Sequence, residues 1–386
     1  MKNIYFDNAA TSFPKPKEVL DAIMEQMINF GGSANRGSSK TVLQSSRVVY
    51  ECREAIKEFF NYDKSENVVF TNNITSSINI LLNAVVKPNW HIITTSMDHN
   101  SVLRPLFKLK EELDGVEVDV INCDKFGFLN IDNLKDSIKQ NTKLIILSHS
   151  SNLVGSIQPL KEISNICKEK NIFLILDSAQ SAGIIPIDMQ DLSLSALTFT
   201  GHKSLLGPQG IGGFIIDDKL NAEAKSVFVG GTGSNSSLLT QPDFLPDKFE
   251  CGTLNIPGIV GLLHGINYIN KEGISTIKEK EDFLCQKAIN GLLNIKDIKI
   301  YGSLDMKKKT SVISFNINDM DPSLVGYMLD SEFNISSRTG LHCAPLAHKT
   351  VGSYPNGSIR ISLGYFNIEK EIDIFLNAIN TIKNRR

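Results

Sequence analysis

The chain has 386 residues, 41% hydrophobic and 21% charged, with a formal charge of −2. That balance gives no electrostatic footprint for nucleic acid or an anionic membrane, and the length suffices for a large core in two or three lobes. No apolar run approaches the ~20 residues that span a bilayer, no signal-peptide core opens the chain, and the six cysteines (52, 123, 167, 251, 285, 343) show no CxxC spacing, so a cytoplasmic protein with neither disulfide framework nor metal site is expected.

In chain order, Val19, Ile23 and Met27 recur at a four-residue step and predict an amphipathic helix over 16–30. A small-residue segment with one charge, Arg36, precedes a second helix over 42–60. Strands and helices then alternate. A short strand over 68–70 leads into a helix that Thr75 or Ser76 would open as N-cap, and free N–H groups at such an end also accept phosphate. Strands over 91–95, 116–121 and 144–148 follow, with Asp98 and His99 just past the first and Asn152 just past the third. A crossover helix over 159–170 feeds the apolar run that ends at Asp177. Repeated units of this kind imply right-handed connections and a mostly parallel sheet. After a strand over 213–216 and a Gly/Ser-rich stretch over 230–237, residues 258–292 read as helical. Strands over 299–301, 311–315 and 358–363, with helices over 322–333 and 368–382, predict a small α+β lobe.

Two positions stand out chemically. Lys203, in TFTGHKSLLGPQGIGG (198–213), lies just past a short apolar run with Thr200 and His202 beside it. A lysine there is commonly a solvated loop residue. Kept nearly dry it can instead form a Schiff base with a carbonyl cofactor, and a neighbouring hydroxyl and imidazole suit a phosphate. Asp177 ends an unbroken apolar run, the carboxyl end of a central parallel strand, where open α/β sheets place ligands. It could simply cap the next helix. Paired with the lysine it can hold a pyridine nitrogen protonated.

With these two stretches the sequence resembles pyridoxal-phosphate enzymes of the class V aminotransferase family. YFDNAATSFPKP (5–16), DHNSVL (98–103), HSSNLVGSIQPLKEI (149–163), FECGTLNIPGI (249–259) and SRTGLHCAP (337–345) are similar to its cysteine desulfurase branch and follow in that branch's order. The resemblance implies a fold-type I architecture: a large domain over 16–257 with a seven-stranded, mostly parallel sheet, and a small domain from 1–15 and 258–386. Lys203 would then carry pyridoxal 5'-phosphate, with Asp177 on the ring nitrogen and His99 stacked on the ring. Asn152 and Gln180 would bond the ring hydroxyl. Thr75, Ser76, Thr200 and His202 would hold the phosphate, joined by Thr253 sent across a homodimer interface. Asn100 stands where many relatives have a second histidine.

The short motif holding Arg338, Gly340 and Cys343 resembles the type II signature whose cysteine is the nucleophile. A reactive thiolate wants cationic neighbours, and His342 and Arg338 could supply the field. Arg360, in RISLGYFN, matches an arginine that takes the substrate carboxylate, with Arg338 and Asn152 also at the substrate. The implied reaction converts L-cysteine to L-alanine and leaves a persulfide on Cys343 for a sulfur-acceptor protein. A selenocysteine lyase, an aminotransferase or β-lyase of the same family, and a non-catalytic assembly scaffold remain open at this point.

Overall fold

The computed structural model describes residues 3–34 and 39–385; Arg36 lies outside them. Strand β1 (Ile4–Tyr5) opens the chain and is followed by helices Lys17–Asn29 and Lys40–Phe59. Seven further strands come next: β2 (Val68–Thr71), β3 (His91–Thr95), β4 (Glu117–Ile121), β5 (Thr142–Ser148), β6 (Phe173–Asp177), β7 (Ala196–Thr200) and β8 (Gly212–Ile216). They form one sheet in the order β2-β8-β7-β6-β5-β3-β4, in which only β8 runs antiparallel to its neighbours. Strands β5, β6 and β7 are almost wholly buried, because helices cover both faces of the sheet. Separate apolar clusters fill the two sides, one built on Cys52, Ile56, Leu147 and Leu176, the other on Ile78, Leu81, Ile146 and Phe214.

Consecutive strands β5, β6 and β7 step one way across the sheet, whereas β3 to β4 steps the other. The crevice outside the carboxyl ends at such a reversal is where open α/β sheets bind ligands. A second sheet has the order β12-β13-β10-β9, all antiparallel, from β9 (Ile298–Tyr301), β10 (Val312–Ile317), β12 (Arg338–Gly340) and β13 (Ser358–Ser362). Helices Ile274–Leu293, Pro322–Phe333 and Glu369–Asn384 close a third apolar cluster around Phe315, Phe375 and Ile361. Strand β1 pairs in parallel with β11 (Ile335–Ser336), so the first residues of the chain sit beside the last lobe.

Two expectations about helices are corrected. Asn73, not Thr75 or Ser76, caps helix Ile74–Val85: its side-chain oxygen accepts the Ser76 backbone N–H at 3.0 Å. Asparagine is as good an acceptor as serine, and starting two or three residues earlier brings buried Ile74 into the helix. The stretch over 258–292 is two helices, Ile256–Glu272 and Ile274–Leu293, broken at Gly273. That residue has φ 87°, a conformation glycine reaches without a Cβ penalty.

Candidate functional site

A cavity of about 610 Å³ opens at the carboxyl ends of the central strands. Strand order explains how residues far apart in sequence meet there. His99 follows β3, Asn152 follows β5, Asp177 ends β6, and Thr200, His202 and Lys203 end or follow β7. Gln180 enters from the turn after Asp177, and Thr75 and Ser76 from the start of helix Ile74–Val85. Nine of the residues singled out in the sequence thus line one space.

The frame is locked by Asp98, whose part the sequence did not reveal. Its fully buried carboxylate accepts from the Thr95 backbone N–H (2.8 Å), the hydroxyls of Thr94 and Thr95 (2.8 Å each) and the Ser148 backbone N–H (2.5 Å). That ties the end of β3 to the end of β5. His99 next to it caps helix Asn100–Glu112, its Nδ1 accepting the Ser101 backbone N–H at 3.0 Å. An Nδ1 that accepts leaves the ring proton on Nε2. Burial, then the charges of Lys203, Arg338 and Arg360, lower the imidazole to about 4, so the ring is neutral.

Lys203 sits on a turn clamped from the N-terminal segment. The His202 carbonyl accepts from the Ser12 backbone N–H (2.9 Å) and from Lys15 Nζ (2.7 Å), and the Lys203 carbonyl accepts from Ser12 Oγ (2.7 Å). On its other side the turn packs so closely that a Cβ on Gly183 would stand 2.3 Å from the Ser204 carbonyl oxygen. Burial draws the Lys203 amine down to about 8 against the pull of Asp177, and burial pushes Asp177 up to about 6. Lysine and carboxylate here are both displaced toward their neutral forms, the state of a dry site whose polar groups await a charged guest.

Buried polar atoms without partners mark the same guest. Thr200 Oγ1, His202 Nδ1 and Asn152 Oδ1 are enclosed and bonded to nothing in the protein. Buried groups of this kind call for a partner, and three of them around one cavity suit a polar ligand or ordered water there. The remaining Asn152 donor reaches the His342 carbonyl at 2.8 Å, and Gln180 Nε2 donates to the Ala9 carbonyl at 3.0 Å.

Four of the sequence-derived residues lie outside this cavity's wall. Arg360 is 2% exposed on β13, directly across from Arg338 on β12. Two guanidinium groups as cross-strand neighbours repel unless an anion lies between or beside them. Asp7 supplies one, accepting from Arg360 Nη2 at 2.6 Å, while Arg360 Nη1 donates to the Asn152 carbonyl at 2.9 Å and its buried Nε has no partner. Nothing in the sequence reading pointed to Asp7. Thr253 is exposed and lines a neighbouring cavity of about 420 Å³, which shares Ser76 with the first.

Cys343 is exposed, on a loop that leans against the cavity rim: its carbonyl accepts the Asn100 backbone N–H at 2.9 Å. His342 and Cys343 both have left-handed backbones, φ 49° and 56°. For residues other than glycine this costs about 1–2 kcal/mol each and persists only where surroundings enforce it. One expectation fails here. His342 does not lend Cys343 a positive charge, because burial first and Arg360 second lower it to about 2. Arg338 is left as the cation in the motif.

Together the doubly wound sheet, the buried lysine–aspartate cavity and the paired arginines define an α/β protein with a polar small-molecule site at the carboxyl ends of its central strands. The Aminotransferase class-V family profile matches residues 4–375, and the chain belongs to that family. Within it the chain is similar to proteins named cysteine desulfurase. It is 34% identical to a probable cysteine desulfurase of Pyrococcus abyssi and 31% identical to one of Methanothermobacter thermautotrophicus, each over 98% of this chain and 94% of the relative. The apo structure of the cysteine desulfurase of Thermococcus onnurineus superposes over 100% of this chain and 96% of that one, with a TM-score of 0.93 at 31% identity.

Proposed function

We propose that the protein is a cysteine desulfurase that converts L-cysteine to L-alanine and takes the sulfur as a persulfide on Cys343. The observation that carries this reading is the exposed Cys343 loop, hydrogen-bonded to Asn100 beside His99 and to Asn152, at the rim of a cavity that holds Lys203 and Asp177. An aminotransferase has no use for such a thiol.

The residues present fit pyridoxal 5'-phosphate. The phosphate would take the unpartnered Thr200 hydroxyl and His202 Nδ1, with the N–H and hydroxyl groups of Thr75 and Ser76. Asn152 Oδ1 and Gln180 would meet the ring hydroxyl, neutral His99 would cover the ring face, and Asp177 would hold the proton on the ring nitrogen. When bound, the cofactor supplies a carbonyl to join the amine and a ring that withdraws electrons from the substrate Cα.

The protein does the rest. Lys203 anchors the cofactor, then as a free amine accepts the Cα proton at Nζ and returns it. Its amine, drawn to about 8, suits a base near neutral pH. Arg360, with an unused Nε, takes the substrate carboxylate, and Arg338 beside it adds to the field. The Cys343 thiolate attacks the substrate sulfur. The Cβ–S bond breaks, an S–S bond forms on the enzyme, and a proton at Cβ completes alanine, so the exchange balances without an outside oxidant. The persulfide then passes to an acceptor protein. The test is product analysis: purified protein with L-cysteine and a reductant should release alanine and sulfide in equal amounts. Turnover confined to L-selenocysteine, or an amino-group transfer to a keto acid instead, would replace this reading.

Substrate binding by Arg360 has its own test. Arg360→Lys keeps the charge and loses the planar fork. A charge-assisted hydrogen bond is worth about 1.5–3 kcal/mol, so KM for L-cysteine should rise about ten- to a hundredfold. An unchanged KM would move the carboxylate elsewhere.

Two copies of the chain would complete the site. Thr253 is exposed outside its own cavity, beside exposed Phe228 and Val229, which suits a residue that reaches the phosphate of a second copy. The protein should sediment as a dimer, and Thr253→Val should weaken cofactor retention without dissociating it. A monomer with full activity at high dilution would remove this assignment.

A further inference from the structure

His348 lies on helix Pro345–Val351, four positions past Ala344, and is wholly buried. No role in binding or chemistry has been given to it. Its ring lies nearly parallel to that of His342, 11° between planes and 5.4 Å between centroids, with His342 Nδ1 and His348 Nε2 3.2 Å apart. Beyond it, His348 Nδ1 is 2.6 Å from Ser353 Oγ, and at the other end His342 Nε2 is 3.3 Å from the Arg338 carbonyl oxygen.

The direction of every proton in this row follows from its last member. A carbonyl oxygen only accepts, so His342 Nε2 carries a hydrogen. Burial keeps both rings neutral, His342 lowered to about 2 and His348 to about 4. His342 Nδ1 is therefore an acceptor, and His348 Nε2 must donate to it. His348 Nδ1 is then an acceptor in turn, and the Ser353 hydroxyl donates to it. The order Ser353 to His348 to His342 to the Arg338 carbonyl admits no other assignment with neutral rings.

This row holds the one residue adjacent to Cys343 that shares its left-handed backbone. The outer side of the same loop is held by Asn152 on the His342 carbonyl and by Asn100 on the Cys343 carbonyl. We propose that His348, oriented by Ser353, is a positioning residue for Cys343: it fixes the His342 ring in a single tautomer and thereby keeps the thiol-bearing loop in the conformation that faces the substrate sulfur. The proposal rests on Cys343 being the sulfur acceptor, and it assigns His348 no contact with substrate or cofactor.

The test uses the full-length holoenzyme. His348→Phe fills the space but cannot donate. His348→Gln puts an amide N–H where Nε2 was. Single-turnover persulfide formation on Cys343, read by mass spectrometry, should fall about tenfold or more in His348→Phe, as expected when an attacking group is misplaced by about an ångström. The spectral response to L-cysteine should keep its concentration dependence, because the cofactor cavity is untouched. Amide hydrogen exchange over residues 338–345 should quicken in the same variant. His348→Gln should restore both the rate and the exchange to within about threefold of the parent. Ser353→Ala, which leaves both rings in place, should slow persulfide formation by a smaller factor and serves if His348→Phe does not fold. A parent rate of persulfide formation in His348→Phe, or in Ser353→Ala where that variant alone folds, overturns the proposal. So does a glutamine variant no better than phenylalanine. If the parent protein itself places no sulfur on Cys343, the desulfurase reading fails instead, while the exchange of residues 338–345 still reports whether His348 holds the loop.

Discussion

Cys343→Ala is expected to keep the cofactor's absorbance, still respond spectrally to L-cysteine, and lose sulfide release by several orders of magnitude. The variant removes the thiol proposed to attack the substrate sulfur, but touches neither Lys203 nor Asp177. The rest of the cysteine inventory makes the expectation sharp. Cys52, Cys123, Cys167 and Cys285 are buried, and burial pushes their thiols up, Cys123 and Cys167 to about 12 and Cys285 to about 11. A thiol that stays protonated is not a nucleophile at neutral pH. Cys251 is half-buried in the neighbouring cavity, and Cys343 alone among the six is exposed. After one turnover without reductant, the peptide containing Cys343 should weigh one sulfur more. Extra mass on Cys251, or a full desulfurase rate in the alanine variant, would falsify the assignment.

Lys203→Ala should yield protein without covalently held cofactor and with kcat lower by at least about a thousandfold, since both the anchor and the proton carrier are lost. The structure also names the competitor. Lys15 donates to Ser12 Oγ and to the His202 carbonyl, both at 2.7 Å, and burial lowers its amine to about 7. It is therefore a second near-neutral amine close to the turn. Borohydride reduction of the parent protein followed by peptide mapping should find the cofactor on Lys203. Finding it on Lys15 would exchange the roles of the two lysines.

What could be read from the sequence was what local pattern carries. The apolar runs before Asp177 and Thr200 declare buried parallel strands, and the chemistry at their carboxyl ends follows from where such strands end. The mostly parallel sheet followed from the same alternation, and its count of seven strands from the family resemblance. Interactions that depend on a distant partner were not legible. Asp7 lies in a quoted motif, yet its pairing with Arg360 spans 353 residues and leaves no local trace. Asp98 reads as a strand-end carboxylate, and only the meeting of β3 with β5 shows that it ties two strands together. The charge of His342 was misjudged because a sequence gives the residue type but not its burial, and burial decides whether an imidazole is an ion. The helix start at Asn73 was missed because asparagine, threonine and serine compete for the same cap within four positions.

The N-terminal segment has a consequence for how the molecule comes into being. Residues 4–5 pair with 335–336, Asp7 meets Arg360, and Thr11, Ser12 and Lys15 grip the turn at Lys203. Asp7 therefore finds its partner only after some 350 further residues have been made, whereas Thr11, Ser12 and Lys15 need fewer than 200. The central sheet can form during synthesis, because its strands lie between residues 68 and 216. The turn at Lys203 can be braced by Ser12 and Lys15 once it is made, whereas Asp7 stays unpaired until β13 follows. A truncated product lacking β13 would leave Asp7 without Arg360, and with it would go the guanidinium proposed to hold the substrate carboxylate.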